Sequence, residues 1–442
     1  MEFTLKKLIE GYSNKYFSPL EIIEWYLEKI NNIDPEINAY ITVTKDRALK
    51  QAGTHIKHLK CVGKIEDLTG VPVSYKDCID VVGVGTTNGS KVESEYIATH
   101  NASITERLER LGSISLGKNN MYEYATGVVS ENPYYGNVVN PINFNKTAGG
   151  SSSGSAASVA AGMAVASIGT DTSGSVRIPA ACCGVIGIKP TYNLMGMKGV
   201  MPLSWTLDHL GVITSSVEDL QIFLQKVSMY SEINSNEANL SRLNVGIPNC
   251  SFHEYNDQTI NEMISVVYKN MEKLGATLKI VDTSFISDPV KVSRVIGTSE
   301  MTVVHNNRFT THYQDYSEKL NQTFKKGKLI PAFDYLNALQ TKKEWTFLMS
   351  ELFKQVDVII TPTIPINVPN VHQNKVEHSD EEIEDIMVRY TCPFNITGHP
   401  ALSMPSGVNK DGVSQGFQII ANYRHEDLLC KVGKDYEDHF LK

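Results

Sequence analysis

Between Thr147 and Gly162 the chain reads TAGGSSSGSAASVAAG, and a second small-residue stretch, DTSGSVRIPA, runs from Asp171 to Ala180. Residues with so little bulk allow close backbone approach and sharp turns. They fit a linker, a phosphate-cradling loop, or a loop folded tightly around a serine. The flanks exclude a linker, because Ser155 to Ile168 is rich in Ala, Val, Met and Ile and is expected to form one buried, closely packed helix. A P-loop needs Lys after its second glycine, and none follows here. In VVGVGTTNG three residues separate Gly85 from Gly89 with no clear helix beyond, so a dinucleotide fingerprint also fails. Serine chemistry remains, with competing matches. Gly150 to Gly154 satisfies G-x-S-x-G and would make Ser152 a nucleophile, but the preceding NPINFNKTA is poor in strand signal. Ser115 and Lys118 satisfy S-x-x-K, a pattern with two fixed positions that chance supplies often.

Composition narrows the field further. The 442 residues are 41% hydrophobic and 20% charged, enough apolar material to bury a core without metal or disulfide staples. The net charge is −8 with no Lys/Arg block, so direct nucleic-acid binding is not expected. Seven scattered cysteines contain no C-x-x-C, and Cys182-Cys183 read as buried free thiols. This usage fits a reducing, cytoplasmic setting. MEFTLKKLIEGYSNKYF lacks the uninterrupted apolar run of a signal peptide, and no stretch is long and apolar enough to span a bilayer.

Local signals alternate between helix and strand. Ser18-Pro19-Leu20-Glu21 is a capping box, with Ile23, Tyr26, Leu27 and Ile30 on one face of the helix that follows. Strands are expected at Val71 to Ser74, near Ser113 to Gly117, at Asn244 to Ile247, Thr277 to Val281 and Val356 to Pro362. Helices are expected at Ala102 to Leu111 and Gln258 to Leu274. Such alternation predicts an α/β layered fold. HQNKVEHSDEEIED, from His372 to Asp385, reads as a solvated surface segment running into a helix, with a lid as the sharper alternative.

Read together, GVPVSYKDCID, GKNNMYEYATG, AGGSSSGSAASVAAG, GTDTSGSVRIPAACCGVIGIKPT and TLDHLGVITSSVEDL resemble the amidase signature family. VDVIITPTIP and PFNITGHPALSMPSG extend the resemblance towards the C-terminus. It implies one domain over 1–442, a large mixed β-sheet covered by helices on both faces. Within it, 1–65 is an N-terminal helical segment, 66–225 the signature core, and 226–442 the part completing sheet and pocket. Position by position, it implies Ser175 as nucleophile, Ser151 as proton relay and Lys76 as general base, with a cis peptide at Gly150-Ser151. Thr172, Ser173, Gly174 and Ser175 would turn backbone N–H groups towards the substrate carbonyl, with Ser151 and the backbone of Ala125 close by. No cofactor or metal is implied. Ser173 and Ser153 stand where many members carry glycine, and Ala148 where many carry proline. Asp171 and Arg177 are expected to brace the loop. Asp77, next along a strand from Lys76, is expected to face away from it.

The chemistry explains the residue types. A serine hydroxyl attacks only when a base takes its proton. A lysine is a base only when neutral, which burial favours by penalising the ammonium. The expected function is hydrolysis of a small carboxylic acid amide to acid and ammonia or amine, with a homodimer left open. Three alternatives stand. One is the glutaminase A subunit of a glutamyl-tRNA amidotransferase, although AFDYLNALQTKKEW replaces the tyrosine-rich segment expected there. The others are a non-catalytic assembly subunit and a conventional Ser-His-Asp hydrolase using one of twelve histidines. Arg389 or Tyr390 is a candidate to line the acyl pocket, against a packing or surface role.

Overall fold

The computed structural model describes residues 3–62, 68–228, 242–249, 252–376, 381–409 and 412–441. Helices α1 (Leu5–Ser13), α2 (Pro19–Ile37) and α3 (Lys45–Val62) precede the signature stretches, and α4 (Ser103–Arg110) forms within the helix expected at Ala102 to Leu111. The predicted capping box forms: Ser18 Oγ accepts from Glu21 N at 3.3 Å, and Glu21 Oε2 accepts from Ser18 N at 2.7 Å. The apolar face of α2, including Ile23, Tyr26 and Ile30, is buried against the main core.

Strands β1 (Tyr40–Val43), β2 (Pro72–Lys76), β3 (Ile114–Asn119), β4 (Ala166–Asp171), β5 (Ile186–Lys189) and β6 (His209–Thr214) form one half of the sheet. The other half consists of β7 (Asn244–Pro248), β8 (Thr277–Val281), β9 (Val358–Pro362), β10 (Ala401–Val408) and β11 (Ser414–Ala421). Together they make a single mixed sheet of 11 strands, ordered β1-β3-β2-β4-β6-β5-β10-β11-β9-β7-β8. β2 runs parallel to both its neighbours, β3 and β4, and β7 parallel to β8 and β9. Every residue of β2 through β6 is buried, the pattern of strands covered on both faces. Helices α5 (Ser153–Ala160) and α6 (Arg177–Cys182) cover one face; α7 (Val217–Val227), α8 (Gln258–Lys273) and α14 (Glu426–Phe440) cover the other. A second helical group comprises α9 (Pro289–His312), α10 (Glu318–Gly327), α11 (Ala332–Leu352), α12 (Ile383–Val388) and α13 (Cys392–Thr397), and α9, α11 and α13 share a buried apolar cluster with Ile359 of β9, Ala401 of β10 and Ile420 of β11.

One sequence expectation needs correction. The run from Ser155 to Ile168 is not a continuous helix: α5 ends at Ala160 and β4 begins at Ala166. Gly162 turns the chain between them in the left-handed region (φ 65°), which a residue without Cβ enters at no steric cost. Cys182 and Cys183 are buried free thiols, as expected, and burial pushes the Cys182 thiol up to about 12.

Candidate active site

The parallel pairing of β2 with β4 sets Tyr75 opposite Ile168. Lys76, the last residue of β2, therefore emerges beside Thr170 and Asp171 at the end of β4. In parallel α/β sheets such carboxyl-terminal strand ends are where ligands collect. Lys76 is fully buried. Its Nζ donates to Ser151 Oγ at 2.7 Å and to Thr170 Oγ1 at 2.8 Å. Burial pulls the ammonium down to about 8, opposed in part by Cys78, Asp171 and Asp208. Asp77 turns away, as the alternation of strand side chains predicts. Its Oδ2 accepts from Thr87 N at 2.9 Å and Thr87 Oγ1 at 2.5 Å, and Lys118 Nζ lies 3.2 Å from Oδ1. The last is a contact of charges, too far off axis to count as a hydrogen bond. Lys118 also donates to Gly85 O and Thr86 Oγ1, so the S-x-x-K match with Ser115 makes no pair.

The Gly150-Ser151 peptide is cis, and Ser151 leads directly into α5. Gly154, the second residue of that helix, has no room for a side chain: an added Cβ would stand 2.2 Å from Ala39 O. Ser152, the serine of G-x-S-x-G, is fully buried and donates its hydroxyl to Thr170 O at 3.1 Å. Its N–H donates to Ser175 O at 3.1 Å, tying the two serine loops together. Ser175 lines a cleft of about 750 Å³ together with Ala125, Thr172 and Ser173. Its hydroxyl has no hydrogen-bond partner among the described residues. Ala125 closes a short 3-10 turn (Glu123–Ala125) in which Tyr124 and Ala125 are both left-handed, with φ of 47° and 61°. Among the described residues no histidine lines this cleft.

Asp171 organises the nucleophile loop. Its carboxylate accepts from Gly174 N at 2.8 Å and Val176 N at 3.1 Å, and from Arg177 Nε at 3.1 Å and Nη2 at 3.0 Å. Burial alone would raise this carboxyl; the Arg177 charge and hydrogen bonds outweigh it and hold the group far below the usual carboxylate range. Arg177, itself fully buried, also donates to Asn395 Oδ1 at 2.7 Å and Gln418 Oε1 at 2.9 Å. The bracing role expected for Asp171 and Arg177 is what these contacts provide. The Gly174 N–H is consumed by Asp171, so of the predicted donors the N–H groups of Thr172, Ser173 and Ser175 remain without an acceptor among the described residues. Gly174 serves the turn instead. Its φ is 126°, and a Cβ would lie 2.2 Å from Thr391 Oγ1.

Sequence reasoning missed three supporting groups. Thr170 holds the lysine, although it sits inside the quoted GTDTSGS. Asp208 accepts from Thr172 Oγ1 at 2.7 Å and from the N–H groups of Leu203 and Ser204 at 2.9 and 3.0 Å. Asn395 donates to the Asp171 backbone and carboxylate, each at 2.8 Å. Conversely, Arg389 and Tyr390 do not line the cleft. Arg389 pairs with Glu381 and lies over the Tyr255 ring, while Tyr390 is buried against Phe252. From the charged segment 372–385, Asn374, Glu382 and Glu384 do reach the cleft rim; residues 377–380 lie outside the described residues.

Comparison with known proteins agrees with this picture. A family model described as Amidase matches residues 21–430. The A subunit of the glutamyl-tRNA(Gln) amidotransferase of Marinomonas sp. (strain MWYL1) is 32% identical, covering 99% of this chain and 97% of its own length. That of Clostridium novyi (strain NT) is also 32% identical, over 98% and 96%. A solved amidase superposes with a TM-score of 0.93 at 26% identity, covering 99% of this chain and 100% of its own. A component of a vestigial complex linked to the origins of an s-triazine catabolic enzyme gives 0.93 at 29% identity, over 99% and 98%. The amidotransferase A subunit of Thermotoga maritima gives 0.80 at 27% identity, over 99% and 94%. The buried lysine, the serine loops and a match that runs almost from end to end converge: this chain belongs to the amidase signature family.

Proposed function

We propose that the whole chain acts as one amidase unit, hydrolysing a small carboxylic acid amide through an acyl-enzyme on Ser175. The observation that carries this reading is the fully buried Lys76, whose Nζ lies 2.7 Å from Ser151 Oγ beside the loop that bears Ser175. As Ser175 Oγ attacks the carbonyl carbon, its proton passes to Ser151 Oγ while the Ser151 proton passes to the neutral Lys76 amine. The oxyanion is held by the N–H groups of Ser173 and Ser175. Collapse of the intermediate returns a proton through Ser151 to the leaving nitrogen. Water then attacks the ester by the same relay and frees Ser175.

A glutaminase role within an amidotransferase is the second reading, favoured by the amidotransferase relatives at 32% identity. The AFDYLNALQTKKEW stretch, standing where the tyrosine-rich segment of the amidotransferase A subunit is expected, supports the stand-alone form. The lysine-to-serine contact and the open cleft speak against a purely structural role. Ammonia release from a panel of primary amides, glutamine included, separates these readings. Turnover of several amides by the purified chain, abolished in Ser175→Ala, is expected. Turnover of glutamine alone, and only with a partner protein added, would move the assignment to the second reading. Full activity in Lys76→Ala with loss in a histidine variant would replace the triad altogether.

A further inference from the structure

Two residues before the nucleophile, Ser173 does more than fill a glycine position. Its Oγ lies 2.9 Å from Ser293 Oγ on α9. Both residues line the same cleft as Ser175. The pair is held from both sides: Thr391 Oγ1 donates to Ser173 O at 2.6 Å, and Ser293 is buried in the wall formed by α9.

Counting protons gives the pair a direction. Each hydroxyl has one proton to donate and lone pairs to accept. One proton is used between the two oxygens. The hydroxyl that accepts it keeps its own proton, and among the described residues neither oxygen has another partner. The wall beside the nucleophile therefore carries one hydrogen-bond donor with no acceptor in the protein. One turn along α9 there is space for a substrate group: a Cβ added at Gly297 would meet nothing nearer than Leu203 Cδ2 at 3.9 Å.

We infer that the Ser173–Ser293 hydroxyl pair selects amides whose short acyl chain carries a hydrogen-bond acceptor, such as a second carbonyl. The inference rests on the proposed amidase reading and specifies its substrate class. A pocket that presents a donor discriminates against a shape-matched substrate lacking the acceptor, because the donor is then buried without a partner.

The test compares acetoacetamide with 3-methylbutanamide, which replaces the ketone by a methyl-bearing carbon of similar shape. The ratio of the two kcat/KM values is measured on one preparation, so the fraction of active enzyme cancels. In the double variant Ser173→Ala/Ser293→Ala the ratio is expected to fall by about tenfold, the size of one neutral hydrogen bond, whereas either single variant leaves the remaining hydroxyl with a free proton and keeps most of the ratio. The intrinsic reactivity of the two amides is the same for every variant and drops out of the comparison. A ratio unchanged from wild type in the double variant would overturn the inference, as would a wild-type enzyme that turns over other primary amides but neither of these. A wild-type chain that hydrolyses no amide and takes no acyl label contradicts the amidase reading itself, which is a different failure.

Discussion

Replacing Thr170 by valine removes one hydroxyl and little volume from the wall around Lys76. The amine loses the acceptor at 2.8 Å and keeps Ser151 Oγ at 2.7 Å. In a fully buried site the unpaired N–H costs about 1–3 kcal/mol, and the cost is larger for the ammonium than for the amine. The charged form is therefore penalised further, and the protonation midpoint, already drawn down to about 8, moves lower. Two effects then oppose each other at neutral pH. In the wild type about a tenth of the molecules carry the neutral amine at pH 7. The variant raises that fraction while orienting the amine less well towards Ser151. Above pH 9 the first advantage has vanished, so the loss should appear there as a plateau about tenfold lower. Stability follows with its own sign. A lysine whose folded pKa lies below its unfolded value near 10.5 destabilises the protein at low pH, and that cost is relieved as pH rises from about 8 through 10.5. Thr170→Val deepens the penalty at pH 7 by roughly 1.4 kcal/mol for each tenfold change in the protonation equilibrium. The assay is kcat/KM from pH 6 to 10, with denaturation at pH 7 and 10 alongside. An acid limb that stays put or moves up, with an unchanged plateau, would refute this account of how the lysine is held.

Two further substitutions probe the framework. Lys118→Met strips the buried Asp77 of its counter-charge, an uncompensated burial worth about 3–5 kcal/mol. The thermal midpoint should fall by several degrees, and an unchanged midpoint would show that the pair contributes nothing. Gly174→Ala forces a Cβ against Thr391 Oγ1 and a non-glycine residue to φ 126°, displacing the Ser173 and Ser175 N–H groups. The expected loss in kcat is about 100-fold or more, with folding retained by circular dichroism; near-normal turnover would mean that this loop does not hold the oxyanion.

Where the sequence was legible, a local rule sufficed. Thr277–Val281 is a strand with the predicted bounds, and the Ser18 box caps its helix because both partners lie within four residues. The run from Ser155 to Ile168 reads as one helix because small apolar residues carry no periodicity, and buried helix and buried strand read alike. The cleft was harder still. Long motifs single out Lys76, Ser151 and Ser175 as candidates, whereas Asn395 reaches Asp171 across 224 positions and Asp208 reaches Thr172 across 36. No spacing rule links such pairs; the sheet order does. The sequence leaves Arg389 between a pocket and a packing role for the same reason, since its partners Glu381 and Tyr255 are set by packing rather than by proximity to PFNITGHP.

The central claim is that Ser175, activated through Ser151 by Lys76, carries the acyl group. Intact-protein mass spectrometry after reaction with a fluorophosphonate, followed by peptide mapping, tests it most directly. The account predicts one adduct per chain, located on Ser175, absent from Ser175→Ala and formed far more slowly in Lys76→Ala. An adduct on Ser152 or any other residue, or equal labelling of Ser175→Ala, would contradict it.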